Sequence, residues 1–583
     1  MTKRKKTTLQ FFAYISPWMV GFLCFGLFPM LYSLYISFCN YQMVGEPKWV
    51  GFQNYIDLFT KELYFFKTFR NTFVFMGATT IFGMSLGLLF SLLINSVPKC
   101  RRFFQTLYYL PAVLPFIAGT MLWESMYAKY GILNSMLTTL GMDSINFMGY
   151  QNAMKSLIVM AVWGGIGGKI TMFLPAVASV PDDLLESMDI DGASAWTKFV
   201  HVTLPMISPT IFYLLIMDII GGLQAYGPMM MLGGGTATMT ATLQIYNYAM
   251  VDHMMGYASA YAWIVFLMVL VVTFVFFRFG GAKVYMRTVI DMENIREKTF
   301  SSRKARRLRK NIVFYIVLSV VGVFMLLPTF VMLTSSVKTY EEYYSLQFRF
   351  FSKVWAFDNY VRVFSSNDDL FRWLGNTLFL ILSNTVICTV STIFVAYGFA
   401  KFRCKVADGV FMVLLCTMMI PWAVTMIPSY IIWAKLGLTN TFVPLVLPSI
   451  GGSAYYTFMF KQNMRGIPNE ITEAAEIDGA NSFVRLWTII VPNCIPAIAT
   501  MVLFTAMGIW GDYLGPLIYL RTPEKFNISL GLNMLRSQTT QGRQDTPMLL
   551  AASVLMAIPS IAMYFVGTKV FAKGISLQGG VKG

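Results

Sequence analysis

The sequence predicts an all-α polytopic membrane protein of about twelve transmembrane helices, arranged as two parallel six-helix repeats. Three observations carry that prediction. Hydrophobic residues make up 56% of the chain and charged residues 13%, and the mean hydropathy is +0.60, far outside the soluble globular range. Apolar runs of the roughly 20 residues needed to cross hydrocarbon recur about a dozen times between short polar stretches. Motifs of the first half also return, in the same order, in the second.

In the first half the apolar runs place spans near 11–38, 71–95, 107–126, 154–178, 206–227 and 257–279. The first follows Met1-Thr-Lys-Arg-Lys-Lys6; it is too long for a signal-peptide core and has no A-x-A site, so it reads as an uncleaved helix with its basic tail in the cytoplasm. In the second half spans fall near 311–334, 376–400, 408–432, 441–462, 493–515 and 547–571. Between the halves, Arg278 to Lys310 holds eleven Lys/Arg against three acidic residues, a net of +8. That marks a cytoplasmic linker. The domains expected are a first half at 1–282, a basic linker at 283–310 and a second half at 311–583. Six spans per half put the charged turns Lys99 to Arg102 and Lys401 to Lys405 inside and both termini in the cytoplasm. The loop 48–70 falls outside and is nevertheless basic, an exception to the bias.

A net charge of +17 raises the question of nucleic acid, but the basic residues gather at the ends of apolar runs, which excludes that partner. The seven cysteines stand alone and the histidines number two, His201 and His253, so no disulfide framework, metal site or catalytic cluster is expected. Transport, not enzymology, is the function class left.

The repeat has two registers. Gly51-Phe-Gln-Asn-Tyr55 answers Ala356-Phe-Asp-Asn-Tyr360, and Asn71-Thr72 answers Asn376-Thr377, both at an offset of 305. Pro181-Asp-Asp-Leu-Leu-Glu-Ser-Met-Asp-Ile-Asp-Gly-Ala193 answers Pro468-Asn-Glu-Ile-Thr-Glu-Ala-Ala-Glu-Ile-Asp-Gly-Ala480 at an offset of 287, without a gap to Pro205 and Pro492. Same-direction repeats imply a pseudo-two-fold axis along the membrane normal.

The strongest repeat occupies loops 179–205 and 465–492, between the fourth and fifth spans of each half. Pro181 or Pro468 starts a short helix whose first turn carries Asp182 and Asp183, or Glu470, against the helix dipole. Leu184, Leu185 and Met188, or Ile471, Ala474 and Ala475, fall on one face. Asp191-Gly192 and Asp478-Gly479 end that helix where glycine adopts positive φ, and Ser194 or Asn481 caps a second helix. The second helix again has an apolar face, Trp196, Phe199 and Val200 or Phe483, Leu486 and Trp487. An apolar stripe facing the cytoplasm suits a partner's groove. A connector lying on the membrane surface would account for one copy, but it needs no fixed E-x-x-x-x-D-G pattern in two.

Glu473-Ala474-Ala475, then Asp478-Gly479-Ala480 and a proline-led span, resembles the signature of ABC-importer permeases. Gly233-Gly-Gly with Thr240 and Tyr246 resembles the first subunit of the carbohydrate-uptake pairs of maltose and glycerol-3-phosphate type. Trp510-Gly-Asp-Tyr-Leu-Gly-Pro-Leu-Ile-Tyr519 and the tail from Lys573 resemble the second. The resemblance covers nearly the whole chain and implies a type I importer permease with both subunits fused. It implies that Glu186, Asp191, Gly192, Glu473, Ala474, Ala475, Asp478 and Gly479 couple the chain to a cytoplasmic ATPase dimer, which holds the ATP and Mg. It further implies an extracellular solute-binding protein delivering a sugar-like substrate, and a bacterial-type inner membrane. Two departures stand out: Glu186-Ser187-Met188 replaces E-A-A in the first copy, and Gly511 follows Trp510 where asparagine is common.

This chain has no phosphate loop of its own. Gly164-Gly-Ile-Gly-Gly-Lys169 comes nearest, but Trp163 and Ile170 occupy the defining flanks, and glycines inside a span serve helix packing or a wider cavity. The candidates for a substrate pathway are Lys169 and Asp218, charges inside apolar runs, with Gln224, Tyr226 and Tyr246 as hydrogen-bonding or stacking groups. Either Lys169 and Asp218 pair, or Lys169 snorkels and Asp218 finds a local hydrogen bond. An ion-coupled secondary transporter is the alternative on topology, since it too uses parallel six-helix repeats; it would not need the paired loops.

Overall fold

Spanning helices follow the apolar runs because a backbone in lipid must satisfy its own hydrogen bonds. The computed structural model describes residues 3–276, 278, 304–345, 349–365, 368–402, 404–539 and 545–579. The linker expected at 283–310 therefore lies, up to residue 303, outside the described residues. Eight helices among the described residues are long and apolar enough to cross a membrane: Lys5–Ser37, Phe65–Asn95, Ala153–Ala178, Ala195–Leu232, Met255–Phe276, Val313–Ser336, Leu370–Lys401 and Thr546–Gly567. Two bent pairs add two more where each pair is counted as one span: Arg101–Val113 with Phe116–Thr139 at 91° and Ser482–Asn493 with Ile495–Trp510 at 79°.

That accounts for ten of the twelve expected spans. The other two, expected near 408–432 and 441–462, are not continuous helices. Ala407–Cys416 and its 3-10 turn stop at Ile420 (φ −70°, ψ 117°), and Trp422–Lys435 starts afresh after Pro421. The residue before a proline is pushed out of the helical region. The same break occurs at Leu114 (φ −64°, ψ 131°) before Pro115, so the interruption belongs to the repeat. The segment 441–462 divides into Val443–Val446, a 3-10 turn Leu447–Gly451 and Ala454–Arg465, with Pro444, Pro448 and a positive-φ Gly452 between them.

The motifs that recur at an offset of 305 are clamps, and both copies close alike. Asn54 Nδ2 donates to the carbonyls of Ser37 and Cys39 at 2.8 and 2.9 Å. Asn359 does the same to Ser336 and Lys338 at 2.9 and 2.8 Å. Tyr55 and Tyr360 bond through their hydroxyls to Ser37 and Ser336, both at 2.8 Å. Asn71 holds the carbonyls of Thr236 and Met239, and Asn376 those of Glu524 and Phe526. Thr72 and Thr377 accept from the backbone of Ala241 and Ile528. Each amide, buried at Asn71 and Asn359 and half-buried at Asn54 and Asn376, thus fixes a loop that would otherwise leave carbonyls unpaired.

The halves also exchange helices. Lys3–Phe22 lies along Leu370–Lys401 of the other half, with Phe11 edge-on to Phe399 at 5.4 Å. Gly21 allows it: a Cβ there would lie 2.2 Å from Gly451 Cα. Reciprocally, Lys304–Ser336 packs on Arg101–Val113, and Tyr108 and Trp163 donate to the carbonyls of Leu318 and Met325 at 3.0 and 2.9 Å.

Candidate coupling loops and substrate pathway

The two loops fold as near-copies. Asp182–Ile190 and Asn469–Ile477 are nine-residue helices begun by Pro181 and Pro468. They end at Gly192 (φ 75°) and Gly479 (φ 85°), where Ala193 N returns to Met188 O and Ala480 N to Ala475 O, each at 2.9 Å. Ser194 Oγ accepts from Thr197 N at 3.1 Å and Asn481 Oδ1 from Val484 N at 2.9 Å, capping Ala195–Lys198 and Ser482–Arg485. An ion pair staples the two helices of each loop: Lys198 to Asp189 at 2.7 Å, and Arg485 to Glu476 at 2.5 Å. A single π turn follows in both, Phe199–Thr203 and Leu486–Ile490.

The apolar faces match the expectation in part: Ile471 and Ala474 face outward in the second copy, and the first copy departs from it. Leu184, Leu185 and Met188 are half-buried, and Leu185 packs on Val177, Val180 and Ile207; the stripe of the first copy seats the loop on its own spans, because those apolar side chains are the nearest dry surface. Leu486 is fully buried in the second copy. What both loops present outward is Glu186 and Glu473, Asp191-Gly192 and Asp478-Gly479, Ala474, and the aromatic pair Trp196 and Phe483, while Ala475 is half-buried.

The first loop leads directly to the candidate pathway. Ala195–Leu232 counts as one span and carries Asp218. Lys169, on Ala153–Ala178, reaches it with Nζ 3.1 Å from Oδ1. Glycines decide this pairing. A Cβ on Gly83 would lie 2.9 Å from Lys169 Cε, and one on Gly87 2.7 Å from Lys169 Cβ. The lysine stem thus runs in a groove of the second span, and its head meets the carboxylate instead of snorkelling. Asp218 Oδ2 is buried with no hydrogen-bond partner among the described residues, beside a cavity of about 190 Å³ lined by Phe75, Thr79, Ala161, Lys169 and Gly221. A carboxylate oxygen left without a partner has acceptor capacity for a hydroxyl donor.

Gln224 and Tyr226 belong to a different contact. The helix is unwound at 224–226, as backbone at membrane depth is where it lines a cavity or is covered by protein. Gln224 Oε1 accepts from Trp422 N at 3.3 Å, and the Tyr226 ring stacks on Trp422 at 5.5 Å and 17°. Tyr246 packs partly buried on the same core. Of the glycine cluster, Gly167 serves close packing, its Cβ position lying 2.7 Å from Tyr109 Cα, while Gly164 and Gly168 face open space.

The family described as "Binding-protein-dependent transport system inner membrane component" matches this chain twice, over residues 80–282 and 392–576. The chain belongs to that family. Each match contains one of the loops. Among relatives, a probable ABC transporter permease protein, YesP, of Bacillus subtilis (strain 168) is 30% identical over 283 residues, 47% of this chain and 91% of its own. The arabinooligosaccharides transport system permease protein AraQ of the same organism is 31% identical over 46% of this chain and 94% of its own. The trehalose/maltose transport system permease protein MalF of Thermococcus litoralis is 29% identical over 46% of this chain and 92% of its own. Each such permease corresponds to about half of this chain, which is a two-permease fusion in length and in family content.

Seen as two permeases in one polypeptide, the chain joins its halves at residues the sequence reading passed over. Trp422 receives both Gln224 and Tyr226. Arg536 Nη2 bonds Glu124 Oε1 at 2.9 Å and Met231 O at 3.2 Å. Glu124 is the one charge in the run 107–126, so the criterion that found Lys169 and Asp218 reaches it as well. Within the second half, Asp512 accepts from Gly515 N at its Oδ1 (3.3 Å) and from Asn527 Nδ2 at its carbonyl (2.5 Å). It shapes the turn into Leu514–Tyr519, where the first half has Ala225.

Proposed function

We propose that this permease forms the pore of an importer for a sugar, oligosaccharide or related polyol. An extracellular solute-binding protein delivers the substrate, and a separate ATPase dimer, which holds ATP and Mg, drives the cycle from the two loops. The observation that carries the reading is the continuity of the first loop with the pathway helix. Ala195–Leu232 extends from the stapled loop, through a π turn, to Asp218, Gln224 and Tyr226. Single π turns inside α-helices concentrate at functional sites. Closure of the ATPase dimer would shift the loop, and the helix that follows it would move Asp218 against Lys169 and carry the unwound segment with Tyr226 against Trp422. Such a switch needs contacts that differ between its two states, and these two pairs are the candidates for them. The names of the relatives, arabinooligosaccharide and trehalose/maltose systems, support the carbohydrate class. The chain would sit in the cell membrane of a bacterial-type envelope with both termini and both loops cytoplasmic.

The test is reconstitution of the full chain with the ATPase encoded nearest its gene. ATP hydrolysis is then measured with and without the neighbouring binding protein across a carbohydrate panel. One ligand is expected to stimulate hydrolysis, and Glu186→Lys with Glu473→Lys to remove the stimulation. Uptake that persists without ATP while an ion gradient is held would return the secondary-transporter alternative.

A further inference from the structure

The basic loop 48–70 was the exception to the charge bias, and the import reading leaves it unused. Between the first and second spans of each half lies a short helix, Gln53–Thr60 in one and Asp358–Ser365 in the other, and equivalent positions are 305 residues apart. One side of each faces the protein: Leu58 and its counterpart Val363 are buried. The opposite side carries Phe52, Ile56 and Phe59 in the first copy and Phe357, Val361 and Phe364 in the second, all 44–68% exposed. The spacing i, i+4, i+7 makes each set a single stripe. The stripes do not end with the short helices. Phe66 and Phe371, in the first turns of Phe65–Asn95 and Leu370–Lys401, are exposed, and so are Ile81 and Val386 farther along those spans.

We infer that the two short helices lie flat in the bilayer interface on the side opposite the coupling loops, as paired anchors. Their phenylalanines rest at the acyl-chain boundary, with the exposed cations Lys48 and Lys61, and Lys353 and Arg372, at the level of the phosphates. Two observations favour phospholipid over a soluble protein. The apolar face is continuous with the lipid-facing surface of a span. It is also repeated on both halves, and a bilayer surrounds a pseudo-two-fold body and meets both copies alike, whereas a single binding protein does not. The basic exception to the positive-inside bias is then a headgroup contact and not a topology error.

Hydroxyl-radical footprinting of the full chain in phosphatidylcholine/phosphatidylglycerol nanodiscs tests this without ATPase or substrate, so its outcome is separate from that of the import reading. Phe52, Phe59, Phe357 and Phe364 are expected to lose labelling down to the level of Phe82, an exposed side chain in the middle of a span. Trp196 and Phe483 on the coupling loops stay labelled. Labelling of the four phenylalanines as strong as that of Phe483 overturns the inference. Protection that arises only when the binding protein is added also overturns it, and assigns the stripes to protein docking.

Discussion

In the first half the coupling loop runs into its membrane helix as one span; in the second, the equivalent helix bends by 79° between Asn493 and Ile495. Proline does not explain the difference, since Pro205 and Pro209 have counterparts in Pro492 and Pro496. What differs at the break is Asn493, which stands where the first half has Met206. Its Nδ2 donates to Ile489 O at 2.7 Å, a side-chain bond to the carbonyl ladder that methionine cannot make. The loops are also held differently. Ser482 is buried, accepting Gln10 Nε2 at 3.3 Å and, through its carbonyl, Tyr397 OH at 3.1 Å. Its counterpart Ala195 is exposed and has no hydroxyl. One loop is therefore wired to the pathway helix of its own half, and the other is tied to the N-terminal helix of the opposite half. A shared motif fixes the shape of a coupling element without fixing what it moves.

The largest expected effect tests that wiring. Glu186→Lys alone should reduce binding-protein-stimulated ATP hydrolysis at least about tenfold, the scale of losing one interface charge pair. Glu473→Lys should cost less, and equal losses would break the asymmetry. Next comes the half-buried Lys169–Asp218 pair. Lys169→Met, which strands Asp218, is expected to destabilise the chain by about 3 kcal/mol in denaturant unfolding, and Lys169→Met with Asp218→Leu to recover most of it; no loss in the single variant would remove the pair from the structural account. Asn493→Met should straighten the second helix and Met206→Asn bend the first, read as opposite changes in spin-label distance between loop and span end. Ser482→Ala should cost about 1 kcal/mol, one buried hydrogen bond. Smallest is the exposed staple, where Lys198→Ala should cost less than about 0.5 kcal/mol.

Much of this protein was written in local pattern. Hydropathy located the eight continuous spans and the two bent pairs, with ends that miss by up to about three turns where a span runs on into a loop helix, because a bilayer-crossing helix is recognised by length and composition alone. The loops, their glycine ends at Gly192 and Gly479 and their caps at Ser194 and Asn481 were legible because turn chemistry acts within a few residues. The broken segments at 408–432 and 441–462 carried their signal too, in Pro421, Pro444 and Pro448, but apolar composition outweighed it in the reading.

What tertiary structure decided is which surfaces meet. That Lys169 pairs with Asp218 depends on Gly83 and Gly87, some eighty residues earlier in the chain. That Gln224 and Tyr226 leave this pair for Trp422 depends on the second half closing against the first. The crossing of each first helix onto the opposite half has no mark in hydropathy, since lipid and a neighbouring helix are equally apolar partners and only shape, a Gly21 against a Gly451, tells them apart. The sequence by itself determined a doubled permease with one loop motif in two copies. Folding determined how unequally those loops are connected to the path, because contact between distant faces is set by packing and not by local periodicity.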